Sequence, residues 1–479
     1  MTSKGVSRRE FLRFAGGAAG VGLLAACVPA APAPSAGGGD TGAADAPAAE
    51  PGTLWVLHKQ DFHPEYNDFM RAHIVQFAES KGLTLDVNFT AGFQTGGDIT
   101  MIAASVQAGD PPDVWIDNIN PFQLNQLGVL QPLSDLQAEV SAKFGDPNPR
   151  PKSETLLDGE YVGVTLHCRS DGGWARSDVF EAAGIDIVSL RTFDELREAA
   201  LAVSDAAAEM WGWGMTVNRG GDGGWLTNRV LNGWGATWTD ETGTKVTIDS
   251  PEAVAAVEWL VDTYTNPDWE AMLPPGVLSW TDSSNNEAYL GSKVAYTQNA
   301  GTVYAKAGVD GNEVADVTVF DPPKGGPVVQ DFNGLGGMYL HLIQGAKAAQ
   351  SGKELIMSFF EDDVLKAMYK SATAYAVPGY DAMWDWEEIS SEPISLALKP
   401  VALDPSGWNG LSWPGPSTAQ MGAVGTASLH TDMIANVLNG QMTAAEAVAD
   451  AAESRLRSST NSVSQVPDRL FVVHERSVK

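Results

Sequence analysis

Cysteine and positive charge are both scarce in this chain of 479 residues. The two cysteines, Cys27 and Cys168, are too few for a disulfide framework, which excludes the small disulfide-stabilised scaffolds. Lysine and arginine number 30 against 60 aspartates and glutamates, so the formal net charge is −30. A protein that binds DNA or RNA without sequence preference needs a cationic surface to displace counterions. The charge therefore excludes this class of nucleic-acid-binding protein.

Long hydrophobic runs are also missing. The apolar stretch Phe14–Ala26 would cover about 20 Å as a helix, which is too short for a hydrocarbon core of about 30 Å. No other apolar run approaches the length of a membrane-spanning helix. Hydrophobic residues make up 44% of the chain and charged residues 19%, a balance typical of a folded, soluble protein.

The N-terminal region has the features of an export signal. Two adjacent arginines within Ser7–Leu12 precede the apolar stretch, a pattern that resembles the twin-arginine signal and implies export of a folded protein. The stretch ends in Leu24–Cys27, which resembles the lipobox of bacterial lipoproteins. We predict a signal peptide at residues 1–26 and a diacylglycerol on Cys27. The alternative is an unlipidated signal with a chance cysteine.

Residues 27–52 are mostly alanine, proline and glycine, a composition that cannot form an apolar core. We predict a disordered linker with a reach of about 25–30 Å. Together with the lipidated cysteine, it predicts an extracytoplasmic protein anchored to the outer face of the cytoplasmic membrane.

From Thr53 onward, strand-like and helix-like patterns alternate. Strands are predicted at 53–58, 83–89 and 113–117, and helices at 66–80 and 99–107. Capping boxes at Thr192–Glu195 and Thr443–Glu446 predict the starts of two further helices, and Ser250 before a proline predicts another. Trp238–Ile248 is typical of a β-hairpin. Strands separated by helices favour an α/β fold with largely parallel sheets.

Several segments, in this order, resemble the sequence patterns of one family. They are Pro111–Val114, Leu127–Leu133, Asp158–Val164, Ser177–Gly184, Ser250–Val254, Glu287–Ala295 and Asn333–Leu340. The chain resembles the extracytoplasmic solute-binding proteins of ABC importers, in the carbohydrate-binding group that includes maltose-binding protein. The resemblance extends from about residue 53 to residue 456. The chain departs from the pattern where Asn299, Thr302 and Tyr304 occupy a region in which many relatives carry a tryptophan, and where Val164 and Thr165 replace a proline.

The resemblance implies a two-lobed periplasmic-binding-protein fold, with a ligand cleft between the lobes. Each lobe would be a mostly parallel sheet flanked by helices. Lobe one would comprise 53–165 plus 331–375, and lobe two 166–330 plus 376–479. The chain would cross between the lobes at Leu166–Gly173, Val328–Leu335 and Tyr375–Gly379. Ligands of open α/β sheets bind at the carboxyl ends of the strands, which points to the same cleft.

Candidate ligand-binding residues are flat aromatics and polar side chains at strand ends, because sugars present C–H faces and hydroxyl groups. They are Trp225, Trp280, Trp408, Trp413, Asp117, Asn118, Asn299 and His58. For Asp117, Asn118 and Asn299 the alternative is local turn capping. Trp115 and Trp259 are predicted to pack in the interior.

Other chemistry-bearing residues have simpler interpretations. Cys168 is predicted to be a small buried residue rather than a catalytic thiol. Four arginines would be surface charges unless the ligand is anionic: Arg169, Arg176, Arg219 and Arg229. The spacing of His58, His63 and His73 fits no zinc module, so we predict neither metal nor cofactor.

These observations predict a lipid-anchored, monomeric solute-binding protein without enzymatic activity. It would capture a sugar, oligosaccharide or polyol by closure of its lobes and deliver it to an ABC permease. Two alternatives remain open: a lipid-anchored carbohydrate hydrolase, and a binding protein for a cationic or phosphorylated small solute.

Overall fold

The structure is a computed structural model that describes residues 52–91 and 97–464. The predicted signal peptide, Cys27 and nearly all of the predicted linker lie outside the described residues. Among the helices of the described ranges, none is long and apolar enough to cross a membrane.

Strands and helices alternate along the described chain. The strands are β1 (Thr53–Gln60), β2 (Thr84–Ala91), β3 (Val114–Asp117), β4 (Leu156–Leu157), β5 (Glu160–Tyr161), β6 (Val164–Arg169), β7 (Asp171–Arg176), β8 (Tyr296–Ala300), β9 (Thr318–Asp321), β10 (Gly337–Leu342) and β11 (Ala376–Val377). The helices are α1 (Pro64–Lys81), α2 (Gly97–Ala108), α3 (Phe122–Gln126), α4 (Ser134–Phe144), α5 (Pro149–Thr155), α6 (Ser177–Ala182), α7 (Phe193–Ala202), α8 (Gly221–Gly233), α9 (Pro251–Thr265), α10 (Ser284–Leu290), α11 (Thr302–Asp310), α12 (Ala349–Ser358), α13 (Asp362–Ser371), α14 (Glu387–Ser390), α15 (Pro393–Ala402), α16 (Ala419–Thr426), α17 (Leu429–Leu438) and α18 (Ala444–Ser464).

Two sheets organise the fold. The large sheet has the strand order β11-β6-β10-β3-β1-β2, and the small sheet has the order β8-β7-β9. We refer to residues 53–169 and 337–377, which carry the large sheet, as the large-sheet region. Residues 171–321 and 408–452, which carry the small sheet and its helical core, are the small-sheet region.

The prediction that each sheet is mostly parallel is wrong, because most strand pairs in the two sheets are antiparallel. In the large sheet β1 is parallel to β2 and β3, but β10 is antiparallel to β3 and β6, and β11 is antiparallel to β6. In the small sheet β7 is antiparallel to both neighbours. Parallel neighbours need a crossover connection, which α1 and α2 supply for β1, β2 and β3. By contrast, β7 follows β6 directly and β10 follows β9, so each of these strands enters its sheet from the other one.

The strand order also locates two passages between the sheets. The chain passes from β6 to β7 at Ser170, and from β9 to β10 through residues 322–336. Strand β11 lies in the large sheet, just beyond the predicted end of lobe one at Tyr375. The predicted limits of the two lobes remain a prediction.

The predicted helix caps and the predicted hairpin are present in the structure. Thr192 and Glu195 form a reciprocal capping box at the start of α7, and the Ser250 side chain accepts a hydrogen bond at the start of α9. The Trp238–Ile248 segment turns back on itself through an antiparallel bridge between Thr239 and Val246. These predictions are confirmed because each depends on a few neighbouring residues.

Apolar clusters cover both sheets. One cluster covers one face of the large sheet and continues onto a face of the small sheet, a second covers the other face of the small sheet, and a third the other face of the large sheet. Trp115 is fully buried as predicted and stacks on His341, with ring centroids 4.9 Å apart. Cys168 is also buried, and burial raises the pKa of its thiol to about 12. Such a thiol stays protonated and unreactive near neutral pH.

Candidate functional site

A cavity of about 320 Å³ lies between the large-sheet region and the small-sheet region. Its walls come from the chain after β3, from α3 and α5, from the start of α8, and from residues 408–430. The volume is at the lower end of the range for small-molecule sites, about 300–1,000 Å³. The cavity is therefore large enough for a small organic ligand.

Three of the predicted ligand-binding residues line this cavity: Asn118, Trp225 and Trp408. Trp225 is half-buried on α8, whereas Trp408 is 2% exposed in the loop after α15. The Nε1–H of Trp408 donates to Oδ1 of Asn232 at 2.9 Å. Asn118 follows β3, and its Oδ1 accepts a hydrogen bond from Nζ of Lys59 at 2.5 Å. These contacts fix one aromatic and one amide side chain at the cavity wall.

The other two predicted tryptophans are not among the described residues that line the cavity. Trp280 is half-buried and packs against the apolar clusters of both sheets. Trp413 is half-buried and meets the edge of the Phe332 ring, with centroids 6.0 Å apart. A ligand-binding role for these tryptophans stays a prediction.

The three remaining polar candidates are satisfied within the protein or enclosed by it. Asp117 Oδ1 accepts from the backbone N–H groups of Asn118 and Ile119, which is the turn-capping role. Asn299 Nδ2 donates to Oδ2 of Asp222 at 3.0 Å. His58 is fully buried, and burial lowers the pKa of its imidazole to about 3. The structure does not bring these groups to the cavity, and their role in ligand binding stays a prediction.

Most of the polar groups of the cavity are not marked by any pattern in the sequence. Buried atoms without a hydrogen-bond partner include Asn228 Oδ1, Gln123 Oε1 and His430 Nδ1, all on residues that line it. Asn120 Nδ2 donates to Oγ of Ser417 at 2.9 Å, although these two residues are 297 positions apart. No local pattern marks such residues, because distant loops supply them.

A run of glycines allows α8 to begin close to the cavity. A Cβ atom on Gly224 would lie 2.4 Å from Nε2 of His430, and one on Gly220 would lie 2.3 Å from Oδ1 of Asp282. Both distances are well inside van der Waals contact. Asp282 Oδ2 accepts from the backbone N–H of Gly221 at 2.7 Å. The glycines that precede Trp225 in the sequence therefore bring the cavity wall and its supports together.

Charges around the cavity are mostly paired. Arg150 and Glu154 both line it, with Nε and Oε1 3.1 Å apart, and Glu154 also accepts a hydrogen bond from Tyr339. The prediction that Arg229 is a surface charge is wrong, because this residue is 1% exposed. Its burial, together with the nearby Arg150, holds the pKa of Arg229 well below its usual range. The walls therefore offer mainly indole faces, amides and hydroxyls, with one internal ion pair.

Comparison with known proteins assigns the family. The chain belongs to the bacterial extracellular solute-binding proteins, whose family pattern matches residues 63–361. No curated protein matches the chain in a sequence comparison.

Solved structures of the same architecture are similar over 85% of this chain. The maltose-bound MalE3 of T. maritima has a TM-score of 0.71 at 20% identity, with 99% of that chain covered. A solute-binding protein of an ABC transporter from Agrobacterium radiobacter K84, in complex with ribitol, has a TM-score of 0.71 at 16% identity and 98% coverage. A sugar transporter of Arthrobacter chlorophenolicus A6 with bound laminaribiose has a TM-score of 0.69 at 17% identity and 99% coverage. The predicted two-lobed solute-binding fold is confirmed.

Proposed function

We propose that the protein binds a sugar or polyol in the cavity between its two sheets. The main support is the composition of the cavity wall, which includes the indoles of Trp225 and Trp408. The same wall carries polar atoms without a hydrogen-bond partner on Asn228, Gln123 and His430. Indole faces pack against the C–H faces of sugars, and carbonyl oxygens accept hydrogen bonds from hydroxyl groups. The similar structures named above hold maltose, ribitol and laminaribiose, which supports this class of ligand.

The charge pattern favours a neutral ligand over a cationic or phosphorylated one. Among the described lining residues, the charged side chains are Arg150 and Glu154, and they neutralise each other. A phosphate or ammonium group would need an opposite charge that is free to pair with it. Arg229 does not supply one, because it is 1% exposed and is not among the described residues that line the cavity. The unpartnered amide oxygens of Asn228 and Gln123 instead need a hydrogen-bond donor, which a hydroxyl group supplies.

We further propose that the ligand is bound without being transformed. Glycoside hydrolysis requires a pair of carboxyl groups that flank the scissile bond. Glu154 is the one carboxylate among the described residues of the cavity wall, and it is bonded to Arg150 and Tyr339. This arrangement gives no support to the hydrolase alternative.

Titration calorimetry with the purified protein tests the proposal. The probes are maltose, laminaribiose, ribitol, glycerol phosphate and spermidine, with recovery of each sugar to check that it is unchanged. We expect binding of at least one neutral probe and about tenfold weaker binding by W225A, since a lost aromatic contact costs about 1.4 kcal/mol. W269A is the matched control, because Trp269 packs beside Arg197 in the small-sheet region and does not line the cavity.

The possible outcomes separate the alternatives. Binding confined to glycerol phosphate or spermidine would contradict the assignment to neutral sugars. Equal weakening by W225A and W269A would place the binding site elsewhere. Conversion of a sugar to products would make the protein an enzyme.

We also propose that Cys27 carries the lipid that anchors the protein, as a monomer, beside the ABC permease to which it delivers ligand. C27A is expected to move the protein from the membrane fraction to the soluble fraction, because each buried methylene contributes about 0.8 kcal/mol to anchoring. Fractionation of cells that express each variant measures this. C168A is the matched control and should stay in the membrane fraction, since Cys168 is buried in the folded domain. Retention of C27A in the membrane fraction would contradict the lipid anchor.

A further inference from the structure

The guanidinium group of Arg229 lies between the two indole rings that line the cavity. Its Cζ atom is 4.5 Å from the ring centroid of Trp225 and 4.4 Å from that of Trp408. Trp225 and Arg229 are four residues apart on α8, a spacing that places side chains on one helix face. Trp408 comes from the loop after α15. One side chain therefore connects a ring on the helix to a ring on a distant loop.

This position is unfavourable for a charged group. Arg229 is 1% exposed, its Nη1–H donates to the carbonyl oxygen of Phe332 at 3.3 Å, and its Nε has no hydrogen-bond partner. None of the ion pairs among the described residues includes it. Burial of a charge without an opposite charge costs free energy, and an apolar side chain of similar size is often as stable or more stable. Stability of the fold does not explain this arginine.

A second arginine shows the same stack with ordinary partners. Arg197 lies over Trp259 at 4.5 Å and over Trp269 at 4.2 Å. Unlike Arg229, it forms ion pairs with Asp194 and Asp262. Its tryptophans are partly buried against the apolar cluster of the small sheet and do not line the cavity. Arg197 is thus a matched comparison, in which the same stack has ion-pair partners and lies away from the cavity.

We infer that Arg229 is a positioning residue, which fixes the faces of Trp225 and Trp408 in the orientation that the ligand needs. The inference rests on the proposed function and adds a determinant of affinity to it. A planar cation between two indoles restricts both rings before the ligand arrives. A binding surface that is already ordered loses less conformational entropy on association and therefore binds more tightly.

The test compares R229M with R197M in the full protein. Each variant removes a guanidinium group from between two indoles and keeps an unbranched apolar side chain. Binding of maltose, laminaribiose and ribitol is measured by calorimetry, and the unfolding midpoint by thermal denaturation. We expect R229M to bind the best wild-type probe about tenfold or more weakly with little change in midpoint. R197M should lower the midpoint, because it breaks two ion pairs, and leave the affinity unchanged.

R229K adds a variant that keeps the positive charge without the planar group, and it should bind with intermediate affinity. Wild-type affinity in R229M and R229K would overturn the role of Arg229 and leave the proposed function standing. A fall in midpoint for R229M as large as that for R197M, together with weak binding, would make Arg229 a structural residue and overturn the inference. Absence of binding of every probe by the wild-type protein would overturn the proposed function, and with it this inference.

Discussion

Replacement of Lys324 by methionine is expected to lower the free energy of unfolding by about 3–5 kcal/mol. Lys324 Nζ lies 2.7 Å from Oδ1 of Asp321, and the two side chains are 1% and 0% exposed. Lys324 also donates to the carbonyl oxygens of Ile187 and Leu190, so its removal leaves three acceptors, two of them buried, without this donor. Burial already raises the pKa of Asp321 to about 6 against the attraction of Lys324. Without the lysine, the carboxylate would be an uncompensated buried charge.

Urea unfolding at neutral pH measures this loss, and two further variants separate its causes. The double variant D321N/K324M should recover much of the lost free energy, since it removes both charges. K293M removes a pair with Glu209 whose side chains are 47% and 66% exposed, and it should cost less than about 1 kcal/mol. A loss in K324M no greater than that in K293M would show that the buried pair contributes little.

Acidification is the second change with a large expected effect. Burial lowers the pKa of His63, that of His58 to about 3, and those of His73, His167, His341 and His430 to about 4. In the unfolded chain the histidine pKa values are near 6.5. Between about pH 6.5 and pH 4 the unfolded chain therefore binds protons that the folded chain does not bind. Stability from these groups is therefore complete above about pH 6.5 and is lost as the pH falls toward 4.

Two carboxyl groups oppose this loss. Burial raises the pKa of Asp222, and that of Asp321 to about 6, so the folded state binds their protons before the unfolded state does. Because six histidines oppose two aspartates, we expect the free energy of unfolding to fall between pH 7 and pH 5. Denaturant titrations at both pH values measure it. H430Q should reduce the loss, because it removes one histidine that binds a proton only in the unfolded state. Equal stability at both pH values would rule out the histidine explanation.

Several elements of the fold were predictable because short-range chemistry fixes them. The capping box at Thr192 and Glu195 and the cap at Ser250 need a few consecutive residues, and both occur as predicted. Strand β1 pairs in parallel with β2 across α1, as the alternation of patterns indicated. The family also follows from segments of local sequence, and its match to residues 63–361 agrees with them.

The site was only partly predictable. Trp225 stands out beside its glycines, and Asn118 stands out after a buried strand, and both line the cavity. Asn228 and His430 do not stand out, because each lies within a helix whose pattern is that of an ordinary amphipathic element. The sequence predicts a surface charge at Arg229, since nothing in its neighbourhood along the chain shows that its guanidinium group contacts two indoles.

The α/β class, the family and many helix boundaries can be predicted from the amino-acid sequence, because apolar period, caps and turns act between neighbouring residues. By contrast, the antiparallel pairing of β7, the burial of Arg229 and the set of residues that line the cavity are visible only in the folded chain. These depend on which distant segments pack together, as Asn120 and Ser417 do across 297 positions. Such contacts form when the whole chain buries its apolar surface, so no local stretch of sequence contains them.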